Sequence, residues 1–280
     1  MNHDARFAVH SLRPRFPVPD APGNDAIWIL VSGTGILLPS PETGIFTRET
    51  PGHYGLDTES LLYIGHSNDT PVYAADIPVS SPVPDGWMRS DVRSLYTKIS
   101  DEEMSIAALA VQLVDFDRTT RYCGRCGTKT HPLRSERAKL CPGCNQITYP
   151  RLSPAIIVLV RNGNSILLAR SPRFPPGVHS LIAGFAEPGE TLEETVQREV
   201  FEEVGITVKS IRYIASEPWP FPHSMMIGFK ADYAGGDIRV DNKEIESAGW
   251  FCRNKLPLLP APLSLSRALI DAWVKKELAY

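Results

Sequence analysis

Residues 184–206 contain seven glutamates, four of which could act together because of their spacing along the chain. The stretch reads GFAEPGETLEETVQREVFEEVGI and contains Glu190, Glu199, Glu202 and Glu203. On a helix with 3.6 residues per turn, the last three acids fall within an arc of roughly 100°. Acids this close repel one another, and a divalent cation that prefers oxygen ligands, such as magnesium or manganese, would compensate them. A solvated acidic helix face is the alternative, and the three acids alone do not decide between the two.

The residues around the acids predict a helix that positions them. Thr191 followed by Glu194 is a capping box, and Gly205 is a typical left-handed stop. The helix should therefore run from about residue 192 to residue 204. One of its faces carries apolar residues and should pack against the rest of the domain, and these are Leu192, Val196 and Val200.

Four cysteines form a second group with metal-ligand spacing. Cys123 and Cys126 make one C-x-x-C pair, and Cys141 and Cys144 make another after 14 intervening residues. Two such pairs supply four thiolates in a tetrahedron, which is typical of a structural zinc site. A redox pair is the alternative, but a thioredoxin-like motif would be single and would precede a helix. Cys252 stands apart and is predicted to be a buried apolar residue.

Short strands surround both groups. The run 154–160 is almost continuously apolar and is followed, after Asn-Gly-Asn, by a second strand at 165–170, so the first strand should be covered on both faces. Further strands are predicted at 26–31, 35–39, 61–65, 72–75, 211–216, 225–233 and 249–252. Helices are predicted from Ser100 to about Phe116 and from Ser264 to Leu278.

The overall composition is that of an ordinary globular protein. The chain has 280 residues, is 42% hydrophobic and 22% charged, and has a net charge of -3. The charge gives no global reason to expect nucleic acid as a partner. The N-terminus lacks the apolar core of a signal peptide, and the longest apolar run, 155–160, is too short to cross a membrane. A cytoplasmic location without membrane contact is the expectation.

Residues 216–224 combine prolines with aromatic rings. In SEPWPFPHS, three prolines alternate with Trp219 and Phe221, which favours a stiff, extended backbone that presents two rings. Such rings suit a wall for a flat base or nicotinamide. A proline-rich core loop is the alternative interpretation.

The acidic stretch resembles the Nudix box, from Gly184 and Glu190 through Arg198-Glu199-Val200 and Glu202-Glu203 to Gly205-Ile206. Members of that family hydrolyse nucleoside diphosphates linked to another group and use magnesium or manganese. Residues 216–224 are similar to the SQPWPFPxS array of the NADH pyrophosphatase branch, which also removes NAD caps from RNA and carries a four-cysteine ribbon. Glu217 departs from that array, which has Gln there, and a carboxylate would repel phosphate.

The resemblance implies a fold and a division of the chain. The fold is α+β, a Nudix α/β/α sandwich with a four-cysteine zinc ribbon and a β-rich N-terminal domain. The expected domains are a β-rich N-terminal domain with a disordered start at 1–98, a linking helix at 99–117, the zinc ribbon at 118–148 and the Nudix hydrolase domain at 149–280.

The resemblance also implies roles for individual residues. Arg198 should brace Glu202 or Glu190, and Glu203 is the expected general base. Phe185 and Tyr149 would sandwich the nicotinamide. The metal shell would contain the carbonyl of Ala183 and the carboxylates of Glu199, Glu202, Glu203 and Glu244. The dinucleotide site would be lined by Glu217, Pro218, Trp219, Pro220, Phe221, Pro222, His223 and Ser224, with Glu136 and Ser266 as weaker contacts.

The implied function is metal-dependent cleavage of NADH or NAD to nicotinamide mononucleotide and AMP, together with removal of NAD caps from RNA. The family implies a homodimer with sites near the subunit interface. A Nudix hydrolase for another dinucleotide, such as ADP-ribose, is one alternative. A non-enzymatic nucleotide- or RNA-binding module is the other, and it would require a damaged box.

Overall fold

The chain, described here from a computed structural model, divides into two compact units. The structure describes residue 9 and residues 11–278, so residues 1–8 and 10 of the predicted disordered start, residues 1–25, lie outside the described residues. Of the described residues, the C-terminal unit contains 152–219 and 224–278, and the N-terminal unit contains those up to Arg151 together with 220–223. The predicted boundaries at residues 98, 117 and 148 lie inside the N-terminal unit and stay predictions.

The C-terminal unit is built on one mixed sheet. Its strands have the order β13-β14-β10-β11-β15, and β12 pairs with β10 beside that path. The pairing of β10 with β14 is parallel, and the other pairings are antiparallel. The strands are β10 (Ser153–Asn162), β11 (Ser165–Arg170), β12 (Ile182–Phe185), β13 (Thr207–Trp219), β14 (Ser224–Gly235) and β15 (Ser247–Cys252).

Helices cover both faces of this sheet, as the apolar run predicted. The helices are α2 (Leu192–Val204) and α3 (Leu265–Val274). Ile156, Val158 and Val160 pack in one cluster with Val196 and Val200 of α2. The alternate residues Ile157 and Leu159 pack in a second cluster with Leu265 and Leu269 of α3. Successive strand residues point to opposite faces, so β10 joins both cores of an α/β/α sandwich.

The N-terminal unit contains a second sheet with the same topology. Its strand order is β1-β4-β5-β2-β3-β6, in which β2 and β5 are parallel and the other pairs are antiparallel. Apart from β1, strands β4, β5, β2, β3 and β6 match β13, β14, β10, β11 and β15 in order and direction. The strands are β1 (Leu12–Arg13), β2 (Ile27–Ser32), β3 (Gly35–Leu38), β4 (Ser60–Ser67), β5 (Thr70–Asp76) and β6 (Met88–Asp91).

Helix α1 (Asp101–Thr119) packs on this second sheet. The predicted capping box is present, because the Ser100 side chain accepts from the Glu103 amide and Glu103 accepts from the Ser100 amide. Near the other end, Arg118 Nε donates to the fully buried Asp76 at 3.0 Å. Arg118 Nη1 also donates to the Gly33 carbonyl at 2.9 Å, so one guanidinium ties α1 to β5 and to the turn after β2.

After α1 the chain forms a ribbon of three very short strands. They are β7 (His131–Pro132), β8 (Lys139–Leu140) and β9 (Ile147–Thr148), paired in that order. One cysteine pair, at residues 123–126, precedes β7, and the other, at residues 141–144, lies in the turn between β8 and β9. Such a small sheet buries little apolar surface, so a metal is needed to organise it.

Several predicted elements differ from the structure in extent. The strand predicted at 211–216 runs from Thr207 to Trp219, because pairing with β14 carries it further in both directions. The closing helix ends at Val274. The prediction that Cys252 is buried is wrong: its residue is exposed at the end of β15, and its Sγ lies 3.2 Å from Ser165 Oγ. No described helix is both long and apolar enough to cross a membrane.

Candidate active site

Helix α2 begins and ends where its sequence predicts. Thr191 Oγ1 accepts from the Glu194 amide at 3.2 Å, and the Glu194 carboxylate accepts from the Thr191 amide at 2.7 Å. At the other end Gly205 has φ 74°, in the left-handed region that favours glycine. These caps fix the rotation of the helix and therefore the directions of its acids.

Glu199 lies directly against the backbone of β12. A Cβ atom built on Gly184 would lie 1.9 Å from Cδ of Glu199, so no other residue fits there without moving this carboxylate. Gly184 follows Ala183, whose carbonyl is a predicted metal ligand. The close approach therefore brings the Glu199 carboxylate next to the strand that carries that carbonyl.

Arg198 connects the acids of the box. Its Nε and Nη2 donate to the Glu190 carboxylate at 2.6 and 2.9 Å. Its Nη1 donates to Glu199 at 2.9 Å and to Glu202 at 3.0 Å, and Nη2 also donates to the Phe185 carbonyl at 2.9 Å. The guanidinium thus braces both acids named in the prediction and Glu199 as well. Its hydrogen bonds lower the pKa of Glu190 to about 2.

Glu203 is the buried acid of the group. Glu203 is only 6% exposed, and its Oε2 has no hydrogen-bond partner among the described residues. Burial raises the pKa of Glu203 to about 8, and the charges of Glu199 and Glu244 add to that shift. A buried ionised carboxylate without a partner is strongly disfavoured, so a cation or a proton must accompany it.

Glu244 is held beside the end of α2 by a small loop. The Asp241 carboxylate accepts hydrogen bonds from the amides of Lys243, Glu244 and Ile245. The Asp241 amide donates to the Glu203 carbonyl at 3.2 Å, which joins this loop to the helix. Glu244 itself is exposed, and its charge acts on both Glu199 and Glu203.

The oxygen donors of this region fit a hard divalent cation. The orphaned Oε2 of Glu203 and the mutual repulsion of the acids both call for positive charge. Among the described residues the four cysteines form a preassembled group of metal-ligating side chains, and the acids do not. A cation of this kind would draw Glu199, Glu202, Glu203 and Glu244 together.

The cysteine quartet is preformed. Sγ of Cys123 lies 3.6 Å from Sγ of Cys144, and Sγ of Cys126 lies 3.4 Å from Sγ of Cys141. A tetrahedral zinc with bonds of about 2.3 Å separates its sulfurs by roughly 3.8 Å. The quartet therefore matches a closed structural zinc site, as the spacing predicts.

The remaining predicted contacts of the C-terminal unit differ in accessibility. Phe185 is 55% exposed beside the box, and Trp219 is partly buried at the end of β13. Glu217 is 1% exposed, two residues earlier in that strand. Ser266 is also buried, where its Oγ lies 2.7 Å from Ser180 Oγ and accepts from the Leu181 amide, so it holds the start of β12. Pro218 is partly buried and Ser224 is buried.

Two of the predicted contacts in the N-terminal unit, Tyr149 and Phe221, each interact with another side chain. Tyr149 is 57% exposed, and its hydroxyl donates to Glu136 at 3.1 Å. Phe221 has the guanidinium of Arg93 over its ring, 4.4 Å from the centroid. Sequence reasoning missed Arg93, because its position over the ring results from tertiary folding. Around Phe221, Pro220 is buried, Pro222 is exposed and His223 is partly buried.

Comparison with known proteins decides the family. The NUDIX domain model matches residues 151–274, and the NADH pyrophosphatase zinc ribbon model matches residues 118–149. The chain is 42% identical over 258 residues to the NAD-capped RNA hydrolase NudC of Deinococcus radiodurans, covering 91% of this chain and 89% of that protein. It belongs to the Nudix hydrolase family.

Other relatives agree with this assignment. The NAD-capped RNA hydrolase NudC of Pseudomonas fluorescens is 42% identical over 262 residues, which cover 93% of each chain. That of Stutzerimonas stutzeri is 42% identical over 249 residues, covering 89% of this chain and 87% of that protein. These relatives and the zinc ribbon model confirm the resemblance to the NADH pyrophosphatase branch of the Nudix hydrolases.

The comparisons also explain the second sheet. Residues 25–115 match the NADH pyrophosphatase-like rudimentary NUDIX domain, in agreement with the shared strand order of the two sheets. Where the C-terminal unit places α2 and its box, the N-terminal unit has only two short 3-10 helices between β3 and β4, at Pro41–Thr43 and Pro51–Tyr54. Sequence reasoning found a β-rich domain there but missed its Nudix topology, because the acids that mark the family are missing from it.

Proposed function

We propose that this Nudix hydrolase cleaves the pyrophosphate bond of NADH and NAD, giving nicotinamide mononucleotide and AMP. On NAD-capped RNA the same cut removes the cap and leaves a 5'-monophosphate end. The observation that carries this proposal is the intact box, in which Glu203 is buried with an unpartnered oxygen beside Glu199. The likeness to NAD-capped RNA hydrolases over most of the chain supports the substrate.

The metal-binding residues are proposed to be Glu199, Glu202, Glu203 and Glu244 with the carbonyl of Ala183. Magnesium or manganese suits these oxygen ligands. When bound, the cation supplies positive charge that polarises a phosphoryl oxygen and lowers the barrier to attack. Arg198 keeps Glu190, Glu199 and Glu202 in fixed directions through its hydrogen bonds.

The reaction transfers a phosphoryl group to water. The water oxygen forms a bond to one phosphorus, and the bridging P–O bond breaks so that the other mononucleotide leaves. Glu203 accepts the proton of the attacking water in its ionised form, as the general base of the reaction. Because Glu203 is buried, bulk water does not solvate its carboxylate.

The nicotinamide is proposed to stack on exposed rings. Phe185 and Tyr149 are both more than half exposed, which suits residues that stack on a ligand. Residues 217–224 would line the rest of the dinucleotide, and Arg93 would hold the ring of Phe221 in place. A homodimer with sites near its interface and a cytoplasmic location are further parts of the proposal.

The test is a panel of substrates incubated with the purified protein in magnesium or manganese. NADH, NAD, ADP-ribose and a short NAD-capped RNA are compared, with products separated by chromatography. We expect nicotinamide mononucleotide from NADH and from the RNA, and slow cleavage of ADP-ribose. Preferred cleavage of ADP-ribose, or binding without turnover in saturating manganese, would show that the proposed substrate or activity is wrong.

A further inference from the structure

A cavity of about 760 Å³ lies within the N-terminal unit, away from the Nudix box. Its walls come from five parts of that unit: the segment around residues 16–22, strand β4, Tyr73 of β5, the end of α1 and the ribbon at 129–139. Residues 39–58, which replace the box helix in the rudimentary domain, contribute nothing to its lining. The volume lies within the range of about 300–1,000 Å³ that is typical of small-molecule sites.

The cations that line this cavity are not all neutralised. Three form ion pairs: Arg121 with Glu59, Arg134 with Asp20, and Lys139 with Asp117. Arg137 and Lys129 have no carboxylate partner among the described residues.

Arg137 is the more enclosed of these two cations. Its Nη2 donates to the Ile64 carbonyl, and burial lowers the pKa of its guanidinium because desolvation penalises the charge. Nε and Nη1 of Arg137 have no acceptor among the described residues. A guanidinium with two such nitrogens is a good partner for a phosphate, which can accept hydrogen bonds from two N–H groups at once.

Apart from its charged residues, the lining is mainly apolar, and it includes four Phe and Tyr rings and two hydroxyls without a hydrogen-bond partner among the described residues. Phe16, Tyr63, Tyr73 and Phe116 all contribute to the walls. Tyr73 is only 4% exposed. Its hydroxyl and the Ser60 hydroxyl are buried, and neither has a hydrogen-bond partner in the part of the chain that the structure describes. Buried polar atoms are nearly always paired, so unpaired ones on a cavity wall point to a polar group that binds there. The walls therefore suit a flat ligand with polar edges, and Arg137 and Lys129 suit an anionic group attached to it.

We propose that this cavity is a second ligand site that takes a 5'-mononucleotide, either free or as the terminal nucleotide of an RNA chain. The phosphate would lie at Arg137 and Lys129, with the base against the aromatic walls near Tyr73. Ser60 and Tyr73 would bond to the polar edge of the base or sugar. The inference does not depend on the proposed hydrolysis, because it uses neither the box nor the residues at 217–224. Glu136 lines the cavity and is also a predicted dinucleotide contact, but it has no part in the inference.

The test measures where AMP binds to the full-length, zinc-loaded protein without added divalent cations. Hydrogen exchange with and without AMP should show protection at residues 59–63 and 129–139. Arg137→Gln should weaken AMP binding at this site at least about tenfold, since a hydrogen bond to a charged group is lost. Arg134→Gln is the matched control, because that arginine lines the same cavity but is paired with Asp20. It should bind AMP as the unchanged protein does.

A second variant covers the case in which Arg137→Gln loses its fold or its zinc. Lys129 is exposed, so Lys129→Gln should fold normally and still weaken AMP binding several-fold. A 5'-monophosphate oligoribonucleotide is tested beside AMP and beside the same RNA with a 5'-hydroxyl. Protection by the phosphorylated RNA alone would assign the site to RNA ends, and protection by AMP would assign it to free nucleotides.

Two results would overturn the inference. One is protection confined to the C-terminal unit, and the other is unchanged binding in both Lys129→Gln and Arg137→Gln. NADH cleavage by the same variants should equal that of the unchanged protein. Protection at 59–63 in a protein that fails to cleave NADH would refute the proposed hydrolysis and leave this site standing, so the two proposals fail separately.

Discussion

Gly184 and Glu199 are in such close contact that the glycine has no room for a side chain. A Cβ on Gly184 would lie 1.9 Å from Cδ and 2.1 Å from Oε1 of Glu199. Glu199 is also bonded to Arg198, so its carboxylate cannot simply swing away. The first glycine of the box therefore fixes the position of an acid 15 residues later in the chain.

Replacement of Gly184 by alanine should damage catalysis more than stability. Displacement of Glu199 by about 1 Å is expected to lower turnover of NADH roughly a hundredfold. The matched control is Gly249→Ala in β15, where an added Cβ would meet nothing closer than 3.6 Å. Equal turnover in the two variants would contradict the role assigned to this contact. Steady-state kinetics at saturating metal measures both.

Replacement of Arg198 by lysine should weaken metal binding. Lysine keeps the charge but cannot bond to Glu190, Glu199, Glu202 and the Phe185 carbonyl together. We expect the metal concentration for half-maximal activity to rise about tenfold or more. Arg161→Lys is the control. Arg161 also donates to a carboxylate, that of Asp232, through two nitrogens, but it lies near the C-terminal end of β10 and does not contact the box acids. A similar metal dependence in the two variants would argue against the bracing role.

Replacement of Glu203 by glutamine should remove most activity. Loss of a general base typically costs about 10²–10⁴ in rate, and one metal ligand is lost as well. The same change at Glu193, an exposed acid of the same helix, should leave turnover unchanged. Circular dichroism should show both variants folded. Full activity in Glu203→Gln would remove that residue from the mechanism.

In the zinc-loaded protein without added magnesium or manganese, the free energy of unfolding should fall as pH rises from about 5 to 8. Burial raises the pKa of Glu203 to about 8 in the folded chain, against 4.5 for an ordinary glutamate. The folded state then holds a proton that the unfolded state has lost, so the contribution is full below pH 4.5 and disappears as pH rises through 8. Urea unfolding at several pH values, with zinc content checked, measures this slope.

Glu203→Gln provides the comparison for that pH dependence. The variant cannot ionise at this position, so its stability should depend less on pH over the same range. Added magnesium should stabilise the unchanged protein more at pH 8 than at pH 5, since protons compete with the cation at low pH. Parallel pH profiles for the two proteins would mean that Glu203 ionises normally.

Removal of zinc should affect the N-terminal unit first. Cys126→Ser is expected to abolish zinc binding and to destabilise the ribbon, because zinc contributes most of the folding free energy of such small sites. Cys252→Ser, which changes a cysteine outside the quartet, should keep one zinc per chain. Metal analysis and thermal unfolding distinguish the two variants. Zinc retained in Cys126→Ser would contradict the four-sulfur site.

Local sequence patterns determined much of this protein. The caps at Thr191 and Gly205 set the ends of α2, since each satisfies backbone groups within a few residues. The spacing of the four cysteines predicted their meeting, because each pair forms its own tight turn. The continuous apolar run at 155–160 predicted a strand covered on both faces.

Only the tertiary structure decided the features that depend on residues far apart in the chain. Glu203 is buried and Glu202 is exposed, although the two are neighbours on one helix and of the same residue type. The contact of Gly184 with Glu199 depends on β12 pairing with β10 beneath α2. The position of the Arg93 guanidinium over Phe221 results from packing between distant segments. So does the environment of Arg137, which donates to the Ile64 carbonyl and has no carboxylate partner among the described residues. A helix period or a turn motif describes only local geometry, whereas solvation and pairing of a side chain depend on everything that packs around it.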